Sequence, residues 1–171
     1  MFVTPCDYLG THGHSERCGG SDPRETGRNR HPETSEAVYY CQAWHLVWES
    51  ERLFSERIEA WAGGPVVPDL FQQHHGRYRV GTWPTGNAAN LTESEKETID
   101  TVVDAYGRLT GHRLSHLTHS ELPWRKARLG LAPGERGNKE ISTDDMQDYY
   151  SDLEESEEAV DVSSFASEET Y

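Results

Sequence analysis

Three histidines, His112, His116 and His119, recur at i, i+4 and i+7 in the stretch GHRLSHLTHS, which places them on one face of a helix. An i, i+4 imidazole pair is how an HExxH helix holds zinc, so the spacing allows a metal-dependent enzyme. The glutamate such a helix carries between its histidines is absent, however, and no fourth donor is patterned beside them. His119 and Glu121, close to Trp124, form a second candidate as an acid/base pair, although the same residues suit hydrogen bonding across a helix break. Gln42 and His45 share one face of an apolar run with no nucleophile or carboxylate beside them, and a hydrogen-bonded role inside the core is expected for both. His12 and His14 with Cys6 and Cys18 match no standard zinc-finger spacing. No GxSxG, P-loop, GxGxxG or DFG-like element occurs. The reading is therefore of a non-enzymatic protein with no cofactor.

The elements that must position these residues are mostly helical. Ala37 to Trp48 (AVYYCQAWHLVW) is too long and too apolar for an ordinary strand and reads as a helix buried on nearly all sides. Phe54 to Trp61 carries Ile58 and Trp61 at helical spacing. Gly63, Gly64 and Pro65 stop that segment, and Pro68 is placed to start a helix over Asp69 to His75, ended by Gly76. Arg77 to Trp83 alternates in the manner of a short extended stretch. Thr92 with Glu95 is a capping box for a helix whose stripe is Ile99, Val102, Val103 and Tyr106 and which Gly107 ends. Gly111 to His119 forms the next helix, followed by a break at Ser120 to Trp124 and a turn ending near Gly130. Ser142 with Asp145 opens a last helix, with Ile141 and Met146 at staple positions and Met146, Tyr149, Tyr150 and Leu153 as its buried stripe.

These patterns give a mainly α protein: one compact domain of about five to seven short helices over residues 35–153, a disordered leader over 1–34 and a disordered acidic tail over 154–171. The formal net charge of -14 is concentrated at one end. From Glu140 to Tyr171 there are twelve acidic residues and no Lys or Arg, which leaves eighteen acidic against sixteen basic residues elsewhere. A near-neutral body with an acidic end, and no compact basic run, disfavours direct nucleic-acid binding. The three cysteines lack CxxC spacing and read as free thiols of a reducing cytoplasm. No secretory signal pattern is present, and the most apolar window is too short to span a bilayer, so no membrane partner is expected and the location expected is cytoplasmic. Five tryptophans and eight tyrosines without catalytic patterning favour a protein-binding module.

Four stretches, YYCQAWHLVW, IEAWAGGPVVPDLFQQHHGRY, LSHLTHSELPW and GERGNKEISTDDMQDYY, occur in an order and spacing that resemble the SocA-like antitoxin family, also called the Panacea domain, across roughly residues 36–153. The Gly-Pro-Val-Val-Pro turn with the later Thr-His-x-Glu-x-Pro-Trp element is the specific part of the likeness. The resemblance implies a mainly helical, phage-associated antitoxin that neutralises a protein toxin, usually encoded beside it, by direct binding. Positions matching the family's pattern include Gln42, Trp44, Trp61, Gly64, Pro65, Val66, Pro68, His119, Glu121, Pro123 and Trp124, expected to act as scaffold or toxin-binding surface. At its start the sequence departs from the family, because a polar leader ending in HPETSEAV stands where members carry an earlier helix. Two alternatives stay open: an adaptor presenting a client to a protease, motivated by the acidic tail, and the metal-dependent enzyme using His112, His116 and His119.

Overall fold

A helix with almost no polar face has to lie inside a fold, and the first helix, α1 (Pro32–Glu49), does so. In the computed structural model, which describes residues 32–74 and 90–156, every side chain from Val38 to Leu46 is buried. Polar members of that run survive only by finding partners. The Gln42 amide accepts from the Phe54 backbone N–H at 3.1 Å and donates to the Phe54 carbonyl at 3.4 Å. His45 Nδ1 lies 2.9 Å from Thr98 Oγ1. The helix stops at Ser50, which takes φ 58 and donates its N–H to the Leu46 carbonyl, a left-handed end made by serine.

Phe54 to Trp61 does not form the helix that its spacing suggests. Residues 51–58 are irregular, and Glu59–Trp61 is strand β1, paired antiparallel with β2 (Gly64–Val66) across an Ala62-Gly63 turn. Two tertiary demands override the helical pattern. Gln42 occupies both hydrogen-bonding groups of Phe54 that a helix would use. On the other side, the chain before the last helix pairs with β1: Ala60 N–H donates to the Lys139 carbonyl at 2.9 Å and Ile141 N–H to the Ile58 carbonyl at 2.8 Å. With Glu59 opposite Glu140, the hairpin gains a third, very short edge.

The remaining helices follow their caps. α2 (Pro68–His74) begins on a proline whose missing N–H costs nothing in a first turn. α3 (Glu93–Tyr106) carries the full capping box, with Glu95 N–H donating to Thr92 Oγ1 and Thr92 N–H to Glu95 Oε2. α4 (Gly111–Ser120) is capped by the Thr110 hydroxyl, and the short α5 (Leu122–Ala127) follows an extended Glu121 with Pro123 in its first turn. α6 (Thr143–Glu155) is capped by Ser142, while Ile141 and Met146 close off its start in the core. Arrayed around α1 are α3, α4, α6 and the hairpin, giving one mainly helical core of six helices and one small sheet among the described residues. The leader through His31, Gly76, the Arg77–Trp83 stretch and the chain after Ser156 lie outside the described residues.

Replacing Gln42 by Leu would leave the Phe54 N–H and carbonyl buried without partners. The expected cost is about 1–3 kcal/mol, read as a lower urea midpoint at unchanged slope. A midpoint equal to that of the unaltered protein would remove the tether from the account of this corner.

Candidate functional site: a buried carboxyl and a clamped hairpin

Most sequence-singled residues converge on two adjoining arrangements around the α4–α5 break. The first is internal. Extended backbone at Glu121, φ -80 and ψ 145, turns its side chain into the core, where the carboxyl accepts from Tyr40 OH at 3.2 Å and from Tyr150 OH at 2.7 Å. Tyr40 stacks on Tyr106 at 4.1 Å, and Tyr39, Tyr40 and Trp44 pack edge-on against Tyr150. Trp44 Nε1 donates to Tyr106 OH at 3.0 Å. The Tyr39 hydroxyl sits beside Tyr150 without a well-formed hydrogen bond.

Electrostatics in this cage follow from burial. Loss of water pushes the Glu121 carboxyl up to about 8, although the two phenol donors work in the opposite direction. Burial, and then the charge Glu121 would carry, lifts Tyr39, Tyr40 and Tyr150 well above the usual phenol value. Glu121 is therefore largely a neutral acid near pH 7, and none of these phenols ionises there. At 3% exposure the carboxyl is shut inside the core, where it ties α1 to α6 through Tyr40 and Tyr150.

The second arrangement lies where α4 and α5 meet the hairpin. The His119 ring stacks on Trp124 at 4.1 Å with 17° between planes, and the Arg128 guanidinium sits 5.1 Å from the Trp124 ring centre. Hairpin carbonyls receive the polar groups: Trp124 Nε1 donates to Trp61 O at 3.2 Å, Arg128 Nη1 to Ala60 O at 2.9 Å, and Ser115 Oγ to Gly63 O at 3.1 Å. The His119 ring also faces the Gly63 carbonyl, and burial lowers its proton affinity. A second bond from Arg128, Nη2 to Glu135 O at 2.7 Å, holds the following loop, where Gly137 leaves room for the guanidinium: a Cβ there would lie 3.1 Å from Arg128 Nη1. On the hairpin itself, buried Glu59 takes Arg57 at 2.8 Å and Trp61 Nε1 at 2.8 Å, while Trp61 packs edge-on to Phe71.

The structure thus separates the two members of the acid/base candidate. His119 turns to the hairpin and Glu121 to the tyrosines. His112 and His116 remain exposed on α4 while His119 is stacked away on Trp124, and no three His, Cys, Asp or Glu side chains among the described residues converge as metal ligands. Gly64, Pro65 and Val66 are strand residues of the hairpin, Pro68 starts α2, and Pro123 is buried in the first turn of α5. Arg128 was not singled out in the sequence. Its signal is its place four residues after Trp124, the spacing at which a helix brings an arginine onto an aromatic ring. The tyrosine ligands of Glu121 carried no such local signal, being 81 and 29 residues away.

A Thr-His-x-Glu-x-Pro-Trp element ties a β-hairpin to an all-round buried helix, and the described residues form a mainly helical scaffold around that tie. The family model described as antitoxin SocA-like, Panacea domain matches residues 37–125, and the chain belongs to that family. Comparison with curated proteins and with solved structures finds no match. Among the described residues, no helix is long and apolar enough to cross a membrane.

Proposed function

We propose that this protein is the antitoxin of a toxin–antitoxin pair and that it neutralises a protein toxin by direct contact. The observation that carries the reading is the SocA-like domain match running from α1 into α5. The contact surface is the half-buried aromatic face around the hairpin: Trp61, Phe71 and Trp124, with Arg57 exposed at its edge. Tryptophan and arginine are the residues that most often dominate protein–protein binding energy, and here the scaffold holds them rigidly. The action is stoichiometric and non-enzymatic, it occurs in the cytoplasm, and the toxin is encoded next to the antitoxin.

Co-expression with the adjacent reading frame tests this. Induced alone, the neighbour arrests growth; induced together with this protein, growth returns and the two purify as a complex. A neighbour that is harmless alone, or one that stays lethal beside abundant antitoxin, sinks the proposal.

A further inference from the structure

Two of the three most exposed large apolar side chains among the described residues lie on one short stretch. Leu122 is 55% exposed and Leu129 is 75% exposed. With Arg125 and Lys126 between them, they follow i, i+3, i+4, i+7 spacing along α5 and its C-terminal turn, all four exposed. Lys126 is paired with Asp145, while Arg125 forms no ion pair with another described residue. The result is an apolar stripe with one positive charge, Arg125, unpaired among the described residues, beside a Lys126 that is offset by Asp145 and Asp148.

We propose that residues 157–171, the acidic segment that follows α6, dock in cis on this Leu122–Arg125–Leu129 face. Three observations select that occupant, none of which depends on the antitoxin reading. The first is chemistry: the segment EEAVDVSSFASEETY carries Glu157, Glu158, Asp161, Glu168 and Glu169, no Lys or Arg, and apolar Val160, Val162 and Phe165 among them. Its pattern of acid with apolar side chains complements the stripe.

The second is reach. Glu121 at the start of α5 bonds Tyr150, and Lys126 near its end bonds Asp145, so α5 and α6 run antiparallel. Leu122 therefore lies toward the C-terminal end of α6, about 8 Å along the axis from where the helix stops at Glu155. Val160 and Phe165 follow Ser156 by stretches of chain that extend to about 14 Å and 30 Å, more than enough to double back.

The third excludes the nearer alternative. Trp48, 39% exposed, is also apolar and closer to the end of α6, since its Nε1 donates to Glu154. Glu49 follows it in the chain and Glu154 accepts its indole N–H, and both repel an acidic segment. Tethering keeps the segment at an effective concentration on the order of millimolar, so even a weak contact is substantially occupied. Docked there, the tail covers the stripe and competes with any partner that reads the same face.

The test uses the full-length chain with Phe165→p-benzoylphenylalanine and photocrosslinking. The expected adduct maps to residues 122–129, with a yield independent of protein concentration and falling as salt is raised. In a Leu122→Ser, Arg125→Glu, Leu129→Ser background, whose changes are all at exposed positions, the yield drops about tenfold, the scale expected for losing two leucine contacts. Should that background unfold, Arg125→Glu alone lowers the yield and Asp161→Lys added to it restores the yield. No adduct, an adduct elsewhere on the chain, a yield that rises with concentration and so reports a second copy, or a yield blind to these substitutions overturns the proposal.

Discussion

Glu121→Ala is expected to cost about 4 kcal/mol or more, enough to leave much of the protein unfolded. The substitution removes the acceptors of two buried phenols, Tyr40 and Tyr150, at about 1–3 kcal/mol each, and opens a cavity beneath α5 that the tyrosine cage is too tightly packed to fill. Glu121→Gln behaves differently. It keeps the shape and one carbonyl acceptor while removing the ionisation. The folded-state value of about 8 lies above the ordinary carboxyl value of 4.5, so the stabilisation from the neutral acid is fully present below pH 4.5. Between pH 4.5 and 8 it is lost at up to about 1.4 kcal/mol per pH unit. His45 and His119, both held below their ordinary value of 6.5 by burial, act in the opposite sense and weaken the fold as pH falls below that value. Both histidines are shared by the two proteins and cancel in the comparison. Urea unfolding at pH 5, 7 and 9 should therefore show the Gln variant gaining on the unaltered protein as pH rises. Parallel pH dependences would mean that Glu121 is ionised in the fold or has water beside it.

Gly64→Val should be nearly as damaging, at about 2–4 kcal/mol. Gly64 takes φ +140, a conformation that a β-branched residue adopts only under strain, and an added Cβ would lie 2.8 Å from Glu36 Oε1. The Glu36 side chain is itself buried, so it cannot swing clear into water. Gly64→Ala carries the same backbone strain without the branched methyls and should fall between the two. Melting temperature and, on the proposed function, binding of the partner are expected to drop together, since the hairpin shapes the aromatic face. Loss of binding at an unchanged melting temperature would make Gly64 a contact residue.

What the sequence made legible is what local physics decides. The caps at Thr92 and Ser142 placed the starts of α3 and α6 because a side chain three residues from its target carries the whole signal. The unbroken apolar run placed α1 at the centre, since no partly exposed helix buries three successive residues such as Tyr39, Tyr40 and Cys41, which point in three different directions around its axis. Phe54 to Trp61 was misleading because its spacing is helical while its hydrogen-bonding partners come from Gln42 and from residues 139–141, which no window around position 58 contains. The same reason hid the tyrosine cage. Glu121 and His119 are two positions apart and looked like a pair, yet the extended residue at the α4–α5 break sends them to opposite neighbours.

The edge that residues 139–141 add to β1, with the α6 tyrosine that reaches Glu121, has a consequence for how the chain is made. Met146 and Tyr150 are fully buried against the earlier core, and Ile58 and Ala60 find backbone partners only in the stretch leading to α6. A ribosome at about 5–20 residues per second needs on the order of ten seconds to travel from Tyr40 to Tyr150. Throughout that interval α1, whose run from Val38 to Leu46 is buried in the finished fold, has no complete cover and exposes apolar surface of the kind chaperones exist to shield. An interrupted translation yields no closed core; only a chain carried through α6 can complete it.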